Sequence, residues 1–138
     1  MASITTALAG LNTAGRIGFA IAGLLALYMA VNTVRALAQP EAFAAYLGAP
    51  LSDPRDIGFV LVYAFRAAFF ALFVAALVWR GDVAAIRLLA LIGLVMPFGD
   101  AWLTWRLGAD ASVVARHLIV AAVLLLTWFL LGQRARAA

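Results

Sequence analysis

An all-α integral membrane fold is predicted by three features: four apolar runs fill nearly the whole chain, 67% of its 138 residues are hydrophobic, and only 12% are charged. Mean hydropathy is +1.08, and the apolar share stands far above the roughly 45–50% of a soluble domain. Each run approaches the ~20 residues that a helix needs to cross a hydrocarbon core about 30 Å thick. Residues 1–138 therefore read as a single transmembrane domain, a four-helix bundle with a short interfacial helix between its first and second spans. The chain has no cysteine, which excludes a disulfide framework and a thiolate metal site.

The first span is Ile17–Ala38, with no charge between Arg16 and Arg35. Arg16 ahead of it and Ala36-Leu37-Ala38 behind it imitate a signal peptide. The apolar stretch nevertheless exceeds the usual h-region of about 7–15 residues, and Arg35 intrudes before the cleavage-like site, so the segment reads as a retained helix. The following segment holds three of the four prolines. Pro40 followed by Glu41 is a helix start and Gly48 a helix stop, giving an interfacial helix over 40–47 that serves as connector or lid.

The second span, Asp56–Trp79, is joined by Arg80-Gly81-Asp82 to the third, Val83–Trp105. Pro97 lacks a backbone donor and should kink the third span one turn before Asp100. The fourth span is Ala111–Gly132, and Arg134 and Arg136 form a basic tail. Ala14, Gly18, Ala22, Ala26 and Ala30 recur every fourth residue, and Ala64, Ala68, Ala71 and Ala75 form a similar strip. Such strips let helices approach closely within the bundle, and they also allow a homodimer.

Arginines near the span ends set orientation. Arg16, Arg80, Arg87, Arg134 and Arg136 lie on the side of the termini, against Arg35, Arg55, Arg106 and Arg116 on the other. This bias puts both termini in the cytoplasm, in a bacterial inner membrane. The pI near 10.7 does not indicate nucleic acid, because all ten basic residues are arginines placed mostly at the edges of apolar runs. Membrane lipids and a lipophilic small molecule are the expected partners, and no cofactor is implied.

The functional lead is a set of polar residues inside these runs. An ionisable side chain at the bilayer centre costs roughly 2.5–3.5 kcal/mol on insertion scales and usually faces a partner or a wet cavity. Arg66 lies about 14 Å down the second span at 1.5 Å per residue. Asp100 and His117 lie in the outer turns of the third and fourth spans, and Tyr28, Asn32 and Arg35 share one face near the same end of the first. The other half of each run is almost purely apolar. This asymmetry predicts a cavity in the outer half with polar groups on its floor, lined by Phe59, Tyr63, Phe70, Met96 and Val120, although each of these taken alone also fits ordinary packing.

Asp100 and His117 are the candidate catalytic residues: the carboxylate orients the imidazole, which carries the proton. Arg66, Tyr63, Asn32, Tyr28 and Arg35 are the candidate substrate-binding residues. Arg66 offers a guanidinium fork to an oxyanion or, in the structural reading, neutralises Asp100 in a buried pair. Arg106 and Arg116 are expected against lipid phosphate, with Trp102 and Trp105 in the aromatic belt. Two ligands are too few for a metal, and no serine sits in a nucleophile elbow.

Ala64-Phe65-Arg66, Pro97-Phe98-Gly99-Asp100, Arg116-His117 and Leu47-Gly48-Ala49-Pro50 together resemble small four-helix membrane proteins known only as a domain of unknown function. The architecture is similar to that of DoxX-like membrane proteins and, more distantly, the four-helix sterol isomerase and sigma-receptor group. The group favours glycine where Ala64 stands and an acid where Ala67 stands, so this chain departs from it and lacks any arginine–acid pair within that motif. It implies the fold rather than an activity. The expected function is acid–base catalysis on an isoprenoid or sterol-like substrate. The alternative is a non-catalytic ligand-binding or membrane-complex accessory protein. Ion conduction ranks last, because the cytoplasmic half offers no polar route.

Overall fold

In a computed structural model that describes residues 4–133, four helical spans are long and apolar enough to cross a membrane: Thr13–Ala38, Pro54–Arg80, Val83–Arg106 and Ala111–Leu131. The basic tail with Arg134 and Arg136 lies outside the described residues. A helix not expected from the sequence, α1 (Ile4–Ala9), precedes α2 (Thr13–Ala38). Helix α2 starts four residues before Ile17 because Asn12 caps it, its side-chain oxygen accepting the Gly15 N–H at 2.9 Å. It stops at Ala38 because Gln39 precedes a proline, which disfavours helical backbone at that position.

The interfacial helix is α3 (Pro40–Tyr46), with Pro40 at its first position. A 3₁₀ turn over Pro54–Asp56 leads into α4 (Ile57–Arg80). In that turn Arg55 donates both backbone and side-chain hydrogen bonds to Asp53, and these hold the exposed Asp53 carboxyl below its ordinary value. The next reversal is tight. Gly81 adopts φ 65°, a left-handed conformation open to glycine, which lets the Asp82 N–H reach the Leu77 carbonyl at 3.0 Å. Asp82 then caps the next helix by accepting the Ala85 N–H.

The third span is broken rather than merely kinked, into α5 (Val83–Ile92) and α6 (Val95–Arg106). Pro97 has no N–H to give the Gly93 carbonyl, and its ring crowds that carbonyl. The Met96 N–H takes the bond instead at 3.1 Å, so the break falls at Gly93 and Leu94, one turn before the proline. The last span is α7 (Ala111–Leu131).

Helix α2 is the common partner, packed against α4 on one side and α7 on the other, while α5 and α6 pack on α7. The small-residue strips enter these seams only in part: Gly18, Ala22, Ala26, Ala64 and Ala71 are buried, and Ala67 with them, whereas Ala68 is half-buried and Ala75 exposed. Near the termini, Leu11, Phe19, Leu77, Val83, Ile86 and Leu131 form a closed apolar core. At the far end, α3 is anchored by Phe43, which is buried with Ala36, Val60 and Ala64. Helices α4 and α6 scarcely touch, and a lateral gap remains between them.

A Cβ at Gly18 would stand 2.7 Å from the Leu130 Cβ and 3.1 Å from the Leu131 backbone nitrogen. Gly18→Val should therefore part α2 from α7 and destabilise the protein by about 1–3 kcal/mol, as overpacked interiors do. A lowered thermal midpoint in detergent checks this, and an unchanged midpoint would refute the close seam.

Candidate functional site

Beside the gap between α4 and α6, a cavity of about 160 Å³ runs along the bundle from Leu47, Asp100 and His117 at the end far from the termini to Ala22, Ile86 and Thr127 nearer them. Helix α2 supplies Tyr28 and Met29, α4 supplies Tyr63 and Phe70, and α6 supplies Met96, Pro97 and Asp100. His117, Val120, Leu124 and Thr127 of α7 form the back wall, which runs ten residues or about 15 Å along the helix axis. Leu47, just past α3, borders the far end.

Asp100 and His117 meet here. The His117 Nδ1 lies 3.9 Å from the Asp100 Oδ2, within ion-pair reach but beyond hydrogen-bond length. The imidazole is 14% exposed and the carboxylate 50% exposed, so the ring is fixed by packing while the acid faces the gap. Thr104, one turn beyond, donates its hydroxyl to the Asp100 main-chain carbonyl at 2.8 Å and so has no hydrogen to give the carboxylate. Tyr63 lies within electrostatic reach of Asp100, and its ring packs 5.4 Å from that of Phe43, which ties the cavity wall to α3.

The chain belongs to the DUF4267 family, a domain of unknown function that matches residues 17–131. No curated protein and no solved structure matches it. Within this DUF4267 chain, four of the seven candidate site residues line the cavity: Asp100, His117, Tyr63 and Tyr28. Asn32 is buried one turn from Tyr28, and its side-chain oxygen has no hydrogen-bond partner. Arg35 is exposed and stacks on Tyr46 of α3, its guanidinium carbon 4.4 Å from the ring centre.

Arg66 is the correction. It is exposed and does not line the cavity, so it neither pairs with Asp100 nor points at a substrate there. The buried face of α4 is fixed by Val60, Ala64, Ala67 and Ala71 against α2. At 100° per residue this turns Arg66 outward beside the exposed Val62, Phe69 and Phe73. Phe59 falls on the same outer side, 77% exposed, and is not a lining residue either, whereas Phe70, Met96 and Val120 are.

Sequence reasoning missed Met29, Leu47, Leu124 and Thr127 as lining residues, and with them Ala22, Val74 and the α5 residues Ile86, Leu89 and Ala90. The spacing of Leu124 and Thr127 from His117 on α7 carries a signal that finds them. Leu47 lies outside the spans and gives none. Among the described residues, no three of His, Asp and Glu gather closely enough to hold a metal ion.

Because Arg66 faces outward, Arg66→Leu should lower the apparent insertion cost of the α4 segment by about 3 kcal/mol. It should leave the melting temperature of the folded protein no lower than wild type. Glycosylation-mapped insertion and a detergent melt check both, and a marked fall in midpoint would place Arg66 inside the bundle.

Proposed function

We propose that this membrane protein is an enzyme that moves protons on a lipophilic, isoprenoid or sterol-like substrate held between its helices. One observation carries the reading: Asp100 and His117 lie together on the wall of an otherwise apolar cavity that opens sideways between α4 and α6. A greasy substrate enters by that gap without leaving the bilayer. Asp100 faces the His117 Nδ1 and supports a positive charge on the ring, leaving Nε2 for the substrate. The imidazole takes a proton from one carbon and returns one to another, an isomerase- or cyclase-type step that conserves hydrogen overall. Tyr63 offers its hydroxyl to a substrate oxygen, and Tyr28, Asn32 and Arg35 hold the polar end.

The second reading is a non-catalytic ligand-binding or membrane-complex accessory protein. It is favoured by the 3.9 Å separation, at which the acid does not yet hold the ring by a hydrogen bond. Both readings place the termini in the cytoplasm of a bacterium and the cavity in the outer leaflet of its inner membrane, in line with the arginine bias.

Membranes containing the protein, incubated in D₂O with total lipid extract, should transfer deuterium to a carbon-bound position of one lipid species, read by mass spectrometry. Asp100→Asn and His117→Gln should slow that exchange about 10²–10⁴-fold, the usual range for a positioned acid or base. Exchange no greater than in empty membranes rejects the enzyme reading. Native mass spectrometry then decides the second, which requires a co-purified lipid.

Orientation is tested on single-cysteine variants, since the chain has no cysteine of its own. A membrane-impermeant maleimide should label Ser52→Cys, an exposed site between α3 and α4, in intact spheroplasts. It should label Gln133→Cys only after lysis, and the opposite pattern inverts the assignment.

A further inference from the structure

Just beyond the cavity, Arg35 and Arg116 converge on a single ring. Arg35 belongs to the last turn of α2, Arg116 to the second turn of α7, and Tyr46 ends α3. Each guanidinium carbon lies 4.4 Å from the Tyr46 ring centre, so the two cations stand no farther apart than twice that distance. Among the described residues the ion pairs are Arg55 with Asp53 and His117 with Asp100, so neither cation is neutralised by a carboxylate. Two like charges held this close repel, and contact with one aromatic ring offsets only part of that cost. The local field also acts on Tyr46: burial would raise its phenol, but contacts from Tyr28, Arg116 and Arg35 bring it below the ordinary tyrosine value.

We propose that Arg35, Tyr46 and Arg116 form a clamp for the phosphate head of a single-chain amphiphile whose tail lies in the cavity. This names the ligand class of the site and rests on the proposed function only in sharing its cavity. An oxyanion between the guanidiniums turns repulsion into attraction, and each planar fork matches two phosphate oxygens. Two of the clamp residues adjoin the cavity wall, since Leu47 follows Tyr46, His117 follows Arg116, and Tyr28 lies beside Tyr46. Below the clamp, past Asp100 and His117, the wall is mainly apolar, with Met29, Phe70, Met96, Val120 and Leu124, which suits a hydrocarbon tail.

The test uses the full chain in phosphatidylcholine nanodiscs, titrated with oleoyl lysophosphatidic acid. Monooleoylglycerol supplies the same tail without phosphate, and inorganic phosphate supplies the head without a tail. Lysophosphatidic acid should bind at least tenfold more tightly than either. Arg35→Gln and Arg116→Gln should each weaken it about tenfold or more, as expected for the loss of a charged hydrogen bond. Arg106→Gln, an exposed arginine against Trp102 outside the clamp, should change it less than twofold.

Equal loss in the Arg106 variant means general surface charge, and equal binding of monooleoylglycerol means no phosphate recognition. Displacement of the lysolipid by equimolar phosphate means a soluble anion. Any of the three overturns the proposal. Should the glutamine variants fail to fold, Arg35→Lys and Arg116→Lys keep the charge without the fork, and unchanged affinity in both overturns it equally. Binding needs no turnover. Loss of deuterium exchange with lysophosphatidic acid binding intact therefore leaves the clamp standing, and loss of binding with exchange intact leaves the acid–base reading standing.

Discussion

In hydrocarbon, lipid tails are as apolar as leucine, so helices are held together by how closely their backbones can approach rather than by escape from water. Here the close approaches belong to α2. Gly18 lets the α7 backbone in, and the row of Ala64, Ala67 and Ala71 sets α4 against the other side. A helix flanked tightly by two partners leaves the remaining span to attach to one of them, and α5 and α6 attach to α7. The space between α4 and α6 is what remains, and it is there that the cavity forms. The site is thus a consequence of which helix carries small residues on two faces.

The break in the third span adds the chemistry to that space. A straight helix through residues 83–106 would fix the direction of Asp100 by the same register that buries Val83, Ile86 and Ala90 near the termini. Because Pro97 cannot bond to the Gly93 carbonyl, the ladder is interrupted and α6 presents its own buried face, Pro97, Ala101 and Thr104, to α7. Asp100 then sits at the edge of that face, next to His117 rather than beneath it. Pro97 also lines the cavity, so the residue that breaks the helix shapes the wall it creates.

Much of this arrangement is legible in the sequence, because bilayer thickness and the helical period are strong constraints. Apolar runs bounded by arginines give the spans, and Pro40 with Gly48 gives α3. The placement of Asp100 and His117 at similar depth on neighbouring spans follows from counting residues inward from their ends. Arg66 is where such counting stops being enough. Depth along a helix is set by position, but direction around it is set by which neighbour buries which face, and the alanine row on α4 decides that 66 points away. An arginine near the midplane looked functional because charge in lipid is costly, and cost alone does not say toward what a side chain turns. The convergence of Arg35 and Arg116 on Tyr46 was hidden for a related reason. It joins three elements through a loop whose path no periodicity reports.

The cavity is blind at one end. Leu11, Phe19, Leu77, Val83, Ile86 and Leu131 close the bundle toward the termini, and no charged side chain belongs to that cluster. A route for ions through the protein would have to cross this apolar layer. The cavity wall beside the lateral gap is mostly apolar, whereas Arg35, Tyr46 and Arg116 gather at the ends of α2 and α3 and the start of α7. The proposed amphiphile would satisfy both surroundings by entering tail first with its head left at the interface, and the His117 and Asp100 pair would then face the part of it just below that head.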